Sequence, residues 1–379
     1  MMRLFPSHRT ETTLVADVGG GGSALAFIEL SKGKPSRVTA SARTYTSIEE
    51  RTTDQSITQI AQSLSEASAA VQKIYADAGN KRAPREIVAI VHAPWASSHI
   101  AEAERRFDRE TRITATLIAE LAKEALAKTN VARADIIEAG VAHVELNGYP
   151  SHVPEKFSAH HIKVVVLVSE MKAEYKNTLE HALRTFTGIP VKFRSQARAL
   201  ASLLAEGGQA RNAVVIDIAD DASAITVIRK HVVTEQARVP AGVHALLSKI
   251  AANGSREEML ALIGMLGRGA CQSAECDRIV RALAAAEPEM TKLFGEAFTV
   301  LAAKRRLPNE ALLITHADLS PWFAQFFSRI DFAQFTMTSR PFSVHALAPH
   351  DLAKYVAGER LHDVSLLIAA TLVHIEHQS

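Results

Sequence analysis

Two stretches of this chain, half its length apart, are built on one plan. Residues 14–18 form an apolar run that passes through Asp17 into Gly19, Gly20, Gly21 and Gly22. An apolar run over 23–30 and an alternating one over 38–46 follow. In the second stretch, residues 213–218 pass through Asp217 to Asp220 and Asp221, and runs over 223–229 and 232–237 follow. Short apolar runs bounded by Gly, Pro, Asn and Asp predict strands, so each stretch predicts a three-stranded meander. In both, an aspartate stands at the end of the first strand. Ile57, Ile60, Leu64, Val71 and Ile74 then recur at helical spacing until Gly79. A doubled unit of this kind predicts two related α/β lobes with a cleft between them.

Residues 86–92 predict a short strand stopped by Pro94. Residues 96–190 predict a small α+β insert, with the charged stretch 105–112 marking a change of unit. Inside the insert, 117–126 reads as a helix, 139–146 and 162–169 as strands, and 179–186 as a helix closed by Gly188 and Pro190. The run 162–169 is apolar enough to be buried on both faces. A helix over 197–205 and the breaker Gly207-Gly208 lead into the second meander. Beyond it, helices are predicted over 243–252, 256–266, 277–286 and 288–304, with Pro288 separating the last two. A strand over 311–315, a helix over 321–327 and a last helix over 364–375 complete the chain. The expected organisation is a first lobe over 1–95, the insert over 96–190, and a return helix of the first lobe over 191–211. A second lobe over 212–379 carries a helical subdomain over about 243–310, and its final helix packs back on the first lobe.

Composition removes several function classes. Apolar residues make up 47% and charged residues 22%, enough for a large core. Lys and Arg total 43 against 41 Asp and Glu, which leaves no electrostatic footprint for nucleic acid. Cys271 and Cys276 cannot make a four-cysteine zinc site or a disulfide scaffold, and their spacing reads as a pair of free thiols. His160 and His161 are adjacent, so along a strand they point to opposite faces. His374 and His377 read as the surface end of a helix, where histidine suits the dipole. Arg105, Arg106, Arg109 and Arg112, interleaved with acids, read as a solvated helical face. No apolar run approaches the roughly 18 residues of a membrane span, and residues 1–13 lack the apolar centre of a secretory signal. A cytoplasmic protein is expected.

Short motifs narrow the reading. Asp17-Val18-Gly19-Gly20 resembles the first phosphate motif of the actin-like superfamily (actin, hexokinase, heat-shock chaperones). Val214-Val215-Ile216-Asp217-Ile218 resembles the start of its second, and Val239-Pro240-Ala241-Gly242 the turn after that meander. Residues 312–317, with Leu319, Ser320 and Pro321, resemble the strand and turn that contact adenosine, and 365–373 the closing helix. The placement of the insert is similar to that in the FtsA and PilM branch. The resemblance implies a two-lobed, duplicated ribonuclease H-like fold with an inserted α+β subdomain. It also implies ATP and Mg²⁺ as cofactors. Gly19, Gly20, Gly21, Gly22, Ser23, Ser223 and Gly242 would cradle the nucleotide, and Asp17 and Asp217 would hold the metal.

The sequence departs from the pattern where it matters. The second phosphate turn reads Ala219-Asp220-Asp221-Ala222-Ser223 instead of a glycine run, and the adenosine turn reads Thr315-His316-Ala317. A carboxylate about 5 Å from a phosphate charge costs roughly 3 kcal/mol at an effective dielectric near 20, unless Mg²⁺ bridges the two. These substitutions predict a degenerate nucleotide site without catalytic residues. By resemblance, the chain would be a cytoplasmic scaffold of a type IV pilus assembly or cell-division complex. It would reach the inner membrane through a membrane-anchored partner, whose short peptide docks in a groove beside the insert. Self-association is the nearest variant. The alternative is an active Mg-ATP-dependent ATPase or small-molecule kinase using the same Asp17 and Asp217. The last helix lacks the basic face of a membrane anchor, as in PilM.

Overall fold

The computed structural model describes residues 10–46, 53–151, 153–207, 212–230, 232–250, 255–358 and 363–378. The readings at residues 1–9, at Gly208 and at 251–252 lie outside them. The first lobe opens with β1 (Glu11–Gly19), β2 (Gly22–Leu30) and β3 (Ser36–Tyr45), then α1 (Thr53–Asp77) and β4 (Ile87–Val91). The insert follows as β5 (Ala96–Arg112), α2 (Ala115–Ala127), β6 (Ile136–Leu146), β7 (Tyr149–Ser151) and β8 (Ser158–Met171). The chain returns through α3 (Ala173–Thr187), β9 (Val191–Ser195) and α4 (Gln196–Gly207). The second lobe is β10 (Asn212–Ile218), β11 (Ser223–Arg229), β12 (Val232–Val239), α5 (Val243–Ile250), α6 (Arg256–Gly267), α7 (Ala274–Ala302), β13 (Glu310–Ile314), α8 (Ser320–Phe327) and β14 (Ser343–Ala346). Last come β15 (Val356–Ala357) and α9 (Val364–Gln378).

Strand register displays the duplication directly. The two lobe sheets run β15-β3-β2-β1-β4-β9 and β12-β11-β10-β13-β14. Asp17 faces Ala24, which faces Arg43 on the third strand. Asp217 faces Ala224, which faces Arg238. Both first strands also take a parallel partner after a helical crossover: Val15 lies beside Val88, and Val215 beside Leu312. Strand β5 pairs with β8, which pairs with β6 in a separate four-stranded sheet.

Packing ties the lobes together. One buried cluster joins Val15 and Ile28 of the first lobe, Val215 and Ile228 of the second, Leu200 of α4 and Leu367 of α9. The insert has its own core around Leu121, Ile162 and Val164. Phe294, Phe298, Phe323 and Phe327 fill the outer core of the second lobe. No helix among the described residues is long and apolar enough to cross a membrane.

Four expectations are corrected. Residues 105–112 do not mark a change of unit or a helical face; they are the outer half of the long strand β5, and Arg105 reaches Glu120 and Glu124 of α2. Helix α7 runs unbroken through Pro288, because Ile279, Leu283, Met290, Phe294 and Phe298 keep one buried stripe across it. Cys271 and Cys276 form a disulfide: the turn into α7 brings their Cα atoms to 5.8 Å, within bonding reach. His374 is buried, its Nδ1 2.9 Å from Ser36 Oγ, so the end of α9 docks on β3. Burial lowers the His374 pKa.

Candidate functional site

Parallel β1 and β4 in one lobe, and β10 and β13 in the other, end at a common crevice, where ligands of open α/β sheets bind. Asp17, Asp217, Asp220, Asp318, Asp363, Arg43, Arg256, His92 and His316 line this cleft of about 410 Å³. The doubled meander therefore brings Asp17 and Asp217 together. Both carboxylates are buried.

They are also already occupied. His92, the residue after β4, stands between them: its Nε2 is 2.6 Å from Asp17 Oδ1 and its Nδ1 is 3.8 Å from Asp217 Oδ2. Arg43 donates to Asp17 Oδ2 at 2.6 Å and to Asp363 Oδ2 at 2.5 Å. Ala24, lying between Asp17 and Arg43 in the register, is small enough to let the guanidinium cross. Burial raises the Asp17 pKa, but His92 and then Arg43 outweigh it and hold the carboxyl at about 2. At His92 burial favours the neutral ring, yet Asp17 and then Asp217 raise its pKa. Asp217 meets the far side of that ring at 3.8 Å, and burial outweighs this contact and pushes its carboxyl up to about 6.

The glycine turn is equally engaged. A Cβ on Gly20 would collide with Asp221, and one on Gly21 with Asp220. Gly22 has a positive φ of 144°, and a Cβ there would collide with the Thr44 carbonyl. The Ser23 amide donates to Ser63 Oγ at 3.0 Å, while the buried Ser23 hydroxyl has no partner among the described residues. Thr46 binds the turn through its amide to the Gly21 carbonyl and its hydroxyl to that of Gly20. In the second lobe Ser223 Oγ donates to the Ala241 carbonyl at 2.6 Å. Gly242 lets the turn after β12 press on the backbone of Ala219 and Asp220, where a Cβ would collide. The first amides of α5, Val243 and His244, donate to those two carbonyls. Asp220 pairs with Arg256. In the adenosine-like turn, His316 Nδ1 accepts from the Asp318 amide at 3.3 Å, and burial lowers the His316 pKa.

A Mg²⁺–triphosphate does not fit this donor set. The metal's carboxylates hold an imidazole and a guanidinium, and two more carboxylates press on the turn where phosphate oxygens would need bare amides. Among the described residues no cluster of three His, Cys, Asp or Glu is placed to hold a metal.

Comparison with solved structures follows the whole chain. The PilM protein of a "PilM-PilN type IV pilus biogenesis complex" matches with a TM-score of 0.57 at 14% identity, covering 98% of this chain and 99% of that one. The chain has the actin-like fold. The ethanolamine utilization protein EutJ of Carboxydothermus hydrogenoformans matches at a TM-score of 0.47 and 13% identity, covering 98% of this chain and 92% of that one. No protein-family model and no curated protein matches the sequence.

Sequence reasoning placed Asp17, Asp217 and the glycine turn at one cleft but missed His92, Arg43, Asp363 and Arg256. Two of these carried a signal. His92 directly follows β4, whose Val91 pairs with Val18, so it had to emerge beside the glycine turn. Arg43 lies opposite Ala24 in the meander, hence on the row of Asp17.

Proposed function

We propose that this chain is a docking scaffold of a type IV pilus assembly or division complex, with a degenerate nucleotide site. The observation that carries this reading is the His92 imidazole between Asp17 and Asp217, where a nucleotide-bound metal would have to sit. Likeness to the PilM chain of a PilM–PilN complex supports the type of partner. In this reading the chain works in the cytoplasm, against the inner membrane. A short peptide of a membrane-anchored protein docks beside the insert, and apolar contacts supply much of the affinity. ATP and Mg²⁺ have no role in the chemistry.

Affinity capture from the native organism tests it. The expected result is recovery of a membrane-anchored component of the pilus or division machinery. Calorimetric titration with Mg-ATP provides the opposing outcome: micromolar binding that Asp17→Ala abolishes would replace the scaffold with an ATPase or kinase.

A further inference from the structure

The turn from α6 to α7 holds both cysteines of the chain, Cys271 and Cys276, joined as a disulfide. As a staple this bond is weakly placed. It spans five positions, and the entropy a crosslink removes from the unfolded chain grows with the loop it closes. The turn is also fixed without it. At the end of α6 the Gly269 amide donates to the Leu266 carbonyl at 3.0 Å and the Ala270 amide to that of Met265 at 2.9 Å. At the start of α7, Ser273 caps the helix by accepting from the Cys276 amide at 3.4 Å. The two cysteines are therefore held close whether bonded or not.

Their sulfurs differ in surroundings. Cys271 is partly exposed, whereas Cys276 is 3% exposed. Ser273 Oγ lies 3.1 Å from Cys276 Sγ, and since a disulfide sulfur carries no hydrogen, the hydroxyl is the donor. The sulfur it binds sits in the first turn of a 29-residue helix, where free amides and the dipole favour negative charge. Glu275 in that turn is paired with Arg278 at 2.6 Å, and Asp277 is exposed to solvent. Exchange is governed by which sulfur can be reached and by how well the other leaves as an anion. Access selects Cys271; stabilisation of the departing charge selects Cys276.

We propose that this pair is a reversible thiol–disulfide exchange site for low-molecular-weight thiols, with Cys271 the attacked sulfur and Cys276 the leaving one. The thiolate of the small thiol bonds to Cys271 Sγ. The electron pair of the broken S–S bond goes to Cys276 Sγ, which then takes a proton from water. A second small thiolate attacks the small-molecule sulfur of the mixed disulfide, and Cys271 leaves as a thiolate that is protonated in turn. Two small thiols are oxidised to their disulfide, and the protein gains two electrons and two protons. The oxidised small molecule drives the reverse. This assignment does not depend on the docking reading above.

Reduced and oxidised glutathione are the probes, applied to the full chain, with thiols counted by mass spectrometry after acid quenching and alkylation. The folded protein is expected to pass between disulfide and dithiol as the glutathione ratio is varied, with its circular dichroism unchanged. Under oxidised glutathione Cys276→Ser should collect one glutathione on Cys271, while Cys271→Ser reacts roughly tenfold more slowly. Ser273→Asp keeps the helix cap but has no hydrogen to donate, so its disulfide should be reduced roughly tenfold more slowly than wild type. Ser273→Thr should match wild type. Rates are read below each variant's melting transition. A bond that opens to glutathione only in urea overturns the proposal and leaves a structural staple. Equal thiolation of the two single-cysteine variants overturns the assignment of the attacked sulfur, and a wild-type rate in Ser273→Asp overturns that of the leaving one.

Discussion

Asp17 and Asp217 hold equivalent places in the two lobes, yet their surroundings drive their carboxyls in opposite directions. Asp17 contacts two cations and is held near 2, below its ordinary 3.8; its stabilisation is present above pH 3.8 and lost as pH falls toward 2. That difference is worth about 2 kcal/mol. Asp217 is pushed above its ordinary value to about 6, so it favours the fold in acid and costs stability as pH rises through 4 to 6. His92, with a raised pKa, adds stability that is present below its ordinary 6.5 and lost as pH rises through the raised value. Asp217→Asn is therefore expected to stabilise the protein at pH 7 by about 1–3 kcal/mol and to flatten the profile between pH 4 and 6. Asp17→Asn should destabilise it by a similar amount. Urea denaturation across pH 4–8 reads both. Two carboxylates held apart for a metal would respond alike, with both substitutions relieving repulsion, and that result would sink the network. Arg43→Ala leaves Asp17 and Asp363 without their shared guanidinium and should cost about 3–5 kcal/mol by the same assay.

At the scale of elements, legibility followed periodicity. The meanders, α1 and the lobe order could be read because alternation and helical spacing are local signals. Strand β5 could not: its outer half alternates charged residues on an exposed edge, which imitates a solvated helix. Helix α7 was split at Pro288 because proline removes a helical hydrogen bond and crowds the carbonyl of Ala284. The buried stripe on both sides of it prevails. Pro288→Ala should then raise stability by about 1–3 kcal/mol without changing helix content, as measured by thermal melts followed by circular dichroism. A loss of stability would mean that the proline ring itself is needed for packing. The glycine turn was legible as a close approach; the group that presses on it is the opposite lobe's Asp220 and Asp221, which no local pattern announces. Gly21→Ala should destabilise the protein in the absence of any nucleotide, and Asp220→Ala should recover part of that loss in the double variant. Additive losses would show that the two residues do not press on each other.

In the whole molecule, these contacts close the cleft from within. Arg43 joins β3 to the residue before α9, His92 reaches Asp217 across the lobes, and one core runs from β1 through α4 and α9 to β10. An actin-like fold that relied on a nucleotide to draw its lobes together would be stabilised by that ligand. Occupancy at a hundred times the dissociation constant adds about 2.7 kcal/mol, enough to raise the melting temperature by several degrees. Here the bridging charges are supplied by the chain, so millimolar Mg-ATP is expected to leave both the melting temperature and the radius of gyration from small-angle scattering unchanged. Removing the internal bridge should change that. In the triple variant His92→Ala, Asp220→Gly, Asp221→Gly, the carboxylates lose their imidazole and the turn loses the acids pressing on it. That variant should melt lower, scatter as a more open molecule, and be the one that Mg-ATP can stabilise. A wild-type protein that tightens and gains several degrees with Mg-ATP, and loses that gain on Asp17→Ala, would show that the cleft is closed by a ligand after all.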